Sequence, residues 1–178
     1  LFIVVNNYSE RIPVGIVGFR GYSGVELFPL LSRHPGVEPY LLEHRSDSDI
    51  PLQPLGIRPP KNIPCTAQAV KNEGLAVVFL ATPAEVSLHL APEFLETGAK
   101  VIDLSGAFRL EDAAAYKRWY KAEHTAPHLL ETAAYGLPEF YREKIKPAQF
   151  VSNPGCYPTA VNLAVRPLIE AEVIDRTR

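Results

Sequence analysis

The chain has little of what marks several large protein classes. Two cysteines in 178 residues are too few for a disulfide scaffold, and Cys65 and Cys156 are not spaced as zinc ligands. Reduced thiols in a cytoplasmic compartment, with no metal, are therefore expected. An excess of one charge is missing too: 18 basic residues stand against 20 acidic ones, for a formal net charge of −2. That leaves no basic footprint for nucleic acid or an anionic membrane surface. No apolar run approaches the roughly 18 residues of a membrane span. The opening LFIVVNN is apolar but short, lacks a basic lead-in and a cleavage site, and makes a poor signal peptide. Methionine is absent, and Leu1 is read as a processed or fragment start. There is no internal repeat and no low-complexity stretch. What remains is a chain that is 47% hydrophobic, long enough to bury a full core and suited to small-molecule ligands.

Between frequent prolines and glycines, apolar segments of two periods alternate. Val14–Val17 reads as a β-branched strand, and Val25–Leu31 after it has the spacing of a helix with one apolar face. Pro39–Leu42 is a second strand. The Pro-rich stretch Arg45–Pro64 is expected to be a surface loop. AVVFLA (76–81) has the continuous apolar character of a strand buried on both faces; a helix is expected over Ala84–Glu96, and Lys100–Leu104 is strand again. Glu111–Gln149 is mixed polar and aromatic. Phe150–Ser152 is the last strand and Thr159–Glu172 the last helix. Alternation of this kind predicts an α/β fold: an open, mostly parallel sheet with helices on both faces and right-handed crossovers.

The first strand runs into GFRGYSG, with Gly18, Gly21 and Gly24 around Tyr22 and Ser23. A tight turn opening a helix aims backbone N–H groups and the positive end of the helix dipole at one spot, which suits a pyrophosphate. The spacing is GxxGxxG rather than GxGxxG, and an ordinary glycine turn is the bland alternative. The strand before it and the amphipathic helix after it favour the cradle. Arg20 inside the turn either swings out or adds a charge to the diphosphate. At the end of the second strand, Glu43 would hold a ribose 2′-hydroxyl, whereas Arg45 and Ser46 would receive a 2′-phosphate. Both readings stand, with Arg45 and Ser46 favouring NADP.

The sequence SNPGCYPTA (152–160) sets Cys156 between a Pro-Gly turn and a Tyr-Pro step. Pro158 in a first helical turn would put Cys156 at a helix N-terminus, where free amides and the dipole stabilise a thiolate. Gly155 removes bulk beside the sulfur, and Asn153 offers a donor to a substrate carbonyl. Most free cysteines are small buried hydrophobes, and Cys65 keeps that reading. Of the histidines at 34, 44, 89, 124 and 128, none pairs visibly with Cys156, and His89 is expected to pack on its apolar helix. Arg142, Glu143, Lys144 and Lys146 read as a solvated face.

Taken together, GFRGYSG, ELFPLLSRHP, VVFLATPAEVSLHLAP, KVIDLSGAFRL, YGLPE and SNPGCYPTA resemble the N-acetyl-gamma-glutamyl-phosphate reductase family from about Val14 to Asp175. SNPGCYPT is the most specific element. The resemblance implies a Rossmann-type domain over residues 1–155 that binds NADP. Residues 156–178 would start an α+β catalytic and oligomerisation domain, largely absent here, with homo-oligomers formed by the intact protein. It implies reduction of an acyl phosphate to an aldehyde, with Cys156 as nucleophile; the family's catalytic histidine is expected beyond residue 178. Within this frame Arg109 and Asn153 are candidate substrate ligands, Arg109 for a phosphate or carboxylate. Thr82, Pro83, Ser105 and Gly106 are candidates to line the nicotinamide pocket. An aspartate-semialdehyde dehydrogenase-like reductase and a non-catalytic dinucleotide-binding module are the alternatives.

Overall fold

The computed structural model describes residues 11–44 and 60–174. Its strands are β1 (Ile12–Val17), β2 (Val37–Glu43), β3 (Lys61–Pro64), β4 (Val77–Leu80), β5 (Lys100–Asp103), β6 (Ala134–Tyr135) and β7 (Phe150–Ser152). Its helices are α1 (Tyr22–Arg33), α2 (Ala67–Asn72), α3 (Ala84–Leu95), α4 (Ala113–Tyr120), α5 (Pro138–Ile145) and α6 (Cys156–Glu170), with a 3-10 turn at Pro127–Leu129. The strands form one sheet in the order β3-β2-β1-β4-β5-β7-β6. Every pairing is parallel. The chain starts in the middle at β1, builds outward to β3, then returns to β4 on the other side. A topological switch point therefore lies between β1 and β4, the place where ligands collect in open α/β sheets.

Alternation along the strands sorts the core into two layers. Ile16 and Leu41 meet Phe28 of α1 on one face. Val17, Leu42, Val78, Leu80, Val101 and Phe150 face the other way, onto Leu88, Leu90, Ala91 and Phe94 of α3. Because all strands are parallel, the loops after β1, β4, β5 and β7 share one edge of the sheet. Those loops carry GFRGYSG, Thr82-Pro83, Ser105–Arg109 and Asn153–Cys156.

The strands expected from the sequence are present with small shifts at their ends. The Arg45–Pro64 loop is not wholly a loop: Lys61–Pro64 pairs with β2 as an outer strand. Its residues are mostly exposed, so they carry no apolar alternation that marks a strand. The polar and aromatic stretch after Glu111 holds α4 and α5. Asp112 caps α4 by accepting the Ala115 N–H at 2.7 Å. His89 does not pack on the core. Its side chain is 78% exposed and lies 3.6 Å from Glu93 one turn on, because position 89 falls on the solvent side of α3 while Leu88 and Leu90 face inward.

Candidate active site

The turn after β1 is built for close approach of backbone. Gly18 has φ +77°, and a Cβ there would stand 2.2 Å from the Ala81 oxygen, so the turn lies directly against the loop after β4. A Cβ on Gly24 would stand 2.3 Å from the Gly18 oxygen, which fixes α1 tightly under its own turn. Gly21 is the N-cap of α1 and no side chain caps the helix. The first-turn amides of Tyr22, Ser23 and Gly24 thus face the turn with no side-chain acceptor in place. The Tyr22 side chain is 99% exposed, so this position contributes through its main chain. The Arg20 guanidinium lies over the Phe19 ring at 5.1 Å. A glycine-lined turn that any Cβ would fill, at a bare helix N-terminus, fits the pyrophosphate of a dinucleotide. Glu43 is exposed at the end of β2; Arg45 and Ser46 lie outside the described residues.

The cysteine turn is held from two sides. Helix α6 starts at Cys156 with Gly155 as N-cap, three residues earlier than the sequence pattern sets it, and Pro158 sits in its first turn. Thr159 ties the start by donating through Oγ1 to the Gly155 oxygen at 2.9 Å. The Cys156 thiol is free and exposed. The YGLPE turn backs this segment: the Gly136 N–H donates to the Ser152 oxygen at 2.8 Å, and a Cβ on Gly136 would stand 3.1 Å from the Asn153 Cα.

Arg109 is the main link. Its Nε donates to the Asn153 oxygen and its Nη2 to the Leu104 oxygen, both at 2.8 Å. A Cβ on Gly155 would stand 3.1 Å from Nη1, so that nitrogen points at the cysteine turn. One edge of the guanidinium therefore holds backbone, and Nη1 is the nitrogen turned to the site. The Asn153 side chain donates to the Pro154 oxygen at 3.2 Å, a long bond to a neighbouring residue. A cavity of about 780 Å³ opens beside Arg109, with Tyr135, Tyr141, Lys144, Ser152 and Asn162 on its wall.

Thr82 and Ser105 are both bound into a polar chain that the sequence did not point to. Thr82 Oγ1 lies 2.8 Å from Ser87 Oγ, and Ser105 donates to Asp103 at 2.8 Å. Asp103 is fully buried. Burial pushes its carboxyl above the ordinary carboxylate range, while donors from Ser87 and Ser105 and the Arg109 charge pull it back. An acid set between the apolar residues Val101, Ile102 and Leu104 was the available signal. Gly106 lies against Tyr120, whose hydroxyl a Cβ would meet at 2.6 Å. Pro83 caps α3 at the same edge.

A family model described as semialdehyde dehydrogenase, NAD binding domain, matches residues 13–148. The chain belongs to this semialdehyde dehydrogenase NAD-binding family. The match takes in the glycine turn, Thr82 and the Ser105–Arg109 loop, and ends before Cys156. Among curated relatives of this NAD-binding domain, the N-acetyl-gamma-glutamyl-phosphate reductase of Thiobacillus denitrificans is 44% identical over 167 residues, 92% of this chain and 49% of that protein. That of Pseudomonas syringae pv. syringae is 46% identical over 171 residues, 94% of this chain and 50% of that protein. The chain spans about half the length of these relatives. Its fold is that of aspartate semialdehyde dehydrogenase with NADP from Candida albicans, with a TM-score of 0.65 at 18% identity, covering 91% of this chain and 48% of that one. Among the described residues no helix is long and apolar enough to cross a membrane, and no group of three or more His, Cys, Asp or Glu is placed to hold a metal.

Proposed function

We propose that this chain is the cofactor-binding, nucleophile-bearing half of an NADPH-dependent N-acetyl-gamma-glutamyl-phosphate reductase of the cytoplasm, working in arginine biosynthesis. The observation that carries the reading is the exposed Cys156 at the first position of α6, on the same sheet edge as the glycine turn. β1 and β7 are three strand spacings apart, about 14 Å, which supports a crevice shared by turn and thiol. The names and 44–46% identities of the relatives support this choice of substrate.

The Cys156 sulfur attacks the acyl carbonyl of N-acetyl-gamma-glutamyl phosphate; the carbon–oxygen bond to the phosphate breaks and inorganic phosphate leaves. The product is a thioester on Cys156, and one difficult step becomes two easier ones. A nicotinamide dinucleotide, when bound, would supply the hydride that reduces this thioester, and Cys156 would leave as thiolate to release N-acetylglutamate semialdehyde. Gly18, Gly21, Tyr22, Ser23 and Gly24 hold its pyrophosphate through backbone amides; Thr82, Pro83, Ser105 and Gly106 line the ring pocket. Arg45 and Ser46 take the 2′-phosphate that distinguishes NADP. The Cys156 N–H, bare at the helix start, and the Asn153 amide, once released from Pro154, are the donors available to an oxyanion at the substrate carbonyl. Arg109 Nη1 faces the same turn and neutralises the departing phosphate or the substrate carboxylate.

The domain boundary is placed at Cys156. In support, the family match stops at residue 148, and α6 buries none of its side chains while Tyr157, Val161 and Leu168 stand exposed. The rest of the catalytic domain, its acid–base group and the homo-oligomer contacts then belong to the part of the protein that the relatives have beyond this span.

The test uses the full-length protein. Cys156→Ser is expected to abolish acyl-phosphate reduction and the thioester seen by mass spectrometry, with NADPH affinity nearly unchanged; turnover by the variant would refute the nucleophile. Replacing Arg45 with Ala in the same protein should erode the preference for NADPH over NADH.

A further inference from the structure

Burying a carboxylate at the end of an apolar strand is costly unless its oxygens are fully engaged, and Asp103 has no part in the chemistry above. It is engaged on every side. Oδ1 accepts the Ser105 N–H at 3.1 Å and Oδ2 the Ser105 hydroxyl at 2.8 Å. Ser105 Oγ in turn accepts the Ala107 N–H at 3.0 Å, so the turn after β5 is wound around this carboxylate. From α3, the Ser87 hydroxyl is a further donor to it, and Ser87 Oγ lies 2.8 Å from Thr82 Oγ1. The main chain of Asp103 continues the pattern, its oxygen accepting the Asn153 N–H at 2.8 Å. One residue thereby binds the loops after β4, β5 and β7 into a single unit.

The donors also fix a direction. When the carboxyl is ionised it only accepts, so the single Ser87 proton then goes to Asp103 and the Thr82 proton to Ser87. Thr82 is left with lone pairs alone to offer a ligand. We propose that Asp103 is a positioning residue that orders the Thr82 and Ser105 loops before the cofactor arrives and makes Thr82 a hydrogen-bond acceptor for an amide N–H donor, the carboxamide of a nicotinamide ring. The inference rests on the dinucleotide reading above. An asparagine at this position has a donor where Ser105 or Ser87 needs an acceptor, so it breaks one bond and frees the Thr82 hydroxyl to reverse.

The experiment compares two probes on the full-length protein: NADPH, and 2′-phospho-ADP-ribose, the same framework without its nicotinamide. Asp103→Asn is expected to weaken NADPH by up to about tenfold, the worth of one hydrogen bond between neutral groups, and to leave 2′-phospho-ADP-ribose within about twofold. Should that variant not fold, Ser87→Ala removes the relay without touching the strand and is expected to shift the two probes in the same unequal way. Equal losses for both probes, or no loss for either in a folded variant, would overturn the positioning role. Failure of the unsubstituted protein to bind either probe would overturn the dinucleotide reading, and this inference with it.

Discussion

Arg109 donates through Nε to the main-chain oxygen of Asn153 at 2.8 Å across 44 residues of chain. This bond, with its companion from Nη2 to Leu104, joins the loop after β5 to the turn that carries Cys156. The guanidinium matters here as a rigid fork as much as a charge.

Replacing Arg109 with Lys tests that distinction. Lysine keeps the positive charge but cannot reach both carbonyl oxygens in one plane, so one of two partly buried acceptors loses its donor. A loss of about 1–2 kcal/mol in unfolding free energy is expected, read by denaturant titration. Stability equal to the parent would show that the fork holds nothing.

The two thiols should differ sharply in reactivity. Burial pushes Cys65 up to about 12 from an ordinary 9.0, so at pH 8 its thiolate is roughly a thousandfold scarcer than that of an ordinary thiol. Cys156 is exposed. Iodoacetamide in native buffer at pH 8 is expected to modify Cys156 alone, and both residues after addition of guanidinium chloride. Peptide mapping that finds Cys65 modified at a comparable rate in the folded protein would contradict this placement.

His124 gives the fold a pH dependence of known sign. Its Nδ1 accepts the Ala126 N–H at 3.1 Å and its Nε2 lies 3.1 Å from the Ala107 oxygen, an arrangement that requires the neutral ring with the proton on Nε2. Burial lowers its pKa from the ordinary 6.5. A base lowered in the folded state binds fewer protons there than in the unfolded chain across the interval between the two values. Its contribution is therefore complete above about pH 6.5 and is lost as pH falls through the folded value. Melting temperatures measured from pH 7.5 down to 5 should fall further for the parent than for His124→Gln, whose side chain does not titrate. Parallel curves would remove His124 from the effect.

The features legible in the residues were the local ones. Alternation and helical spacing placed β1, β4, β5, β7 and α3 because each pattern is written within a dozen residues. Gly18, Gly21 and Gly24 announced a turn in which Gly18 takes a positive φ and Gly18 and Gly24 approach backbone too closely for a Cβ. The Pro-Gly-Cys-Tyr-Pro run announced a helix start with its cysteine in the first turn. The outer strand Lys61–Pro64 was hidden because exposed edge residues carry no buried alternation, and His89 was misplaced because one residue on a 100° step separates the core from solvent.

By itself the chain's order of residues determined which apolar segments are strands, where backbone must pass close to backbone, and which sulfur begins a helix. Strand order decided the rest. Asp103 meets Ser87 and Arg109 meets Asn153 only because β5 comes to lie between β4 and β7. Hydrogen bonds between distant residues depend on that closure of the sheet, and no spacing along the chain encodes the few ångströms that make them.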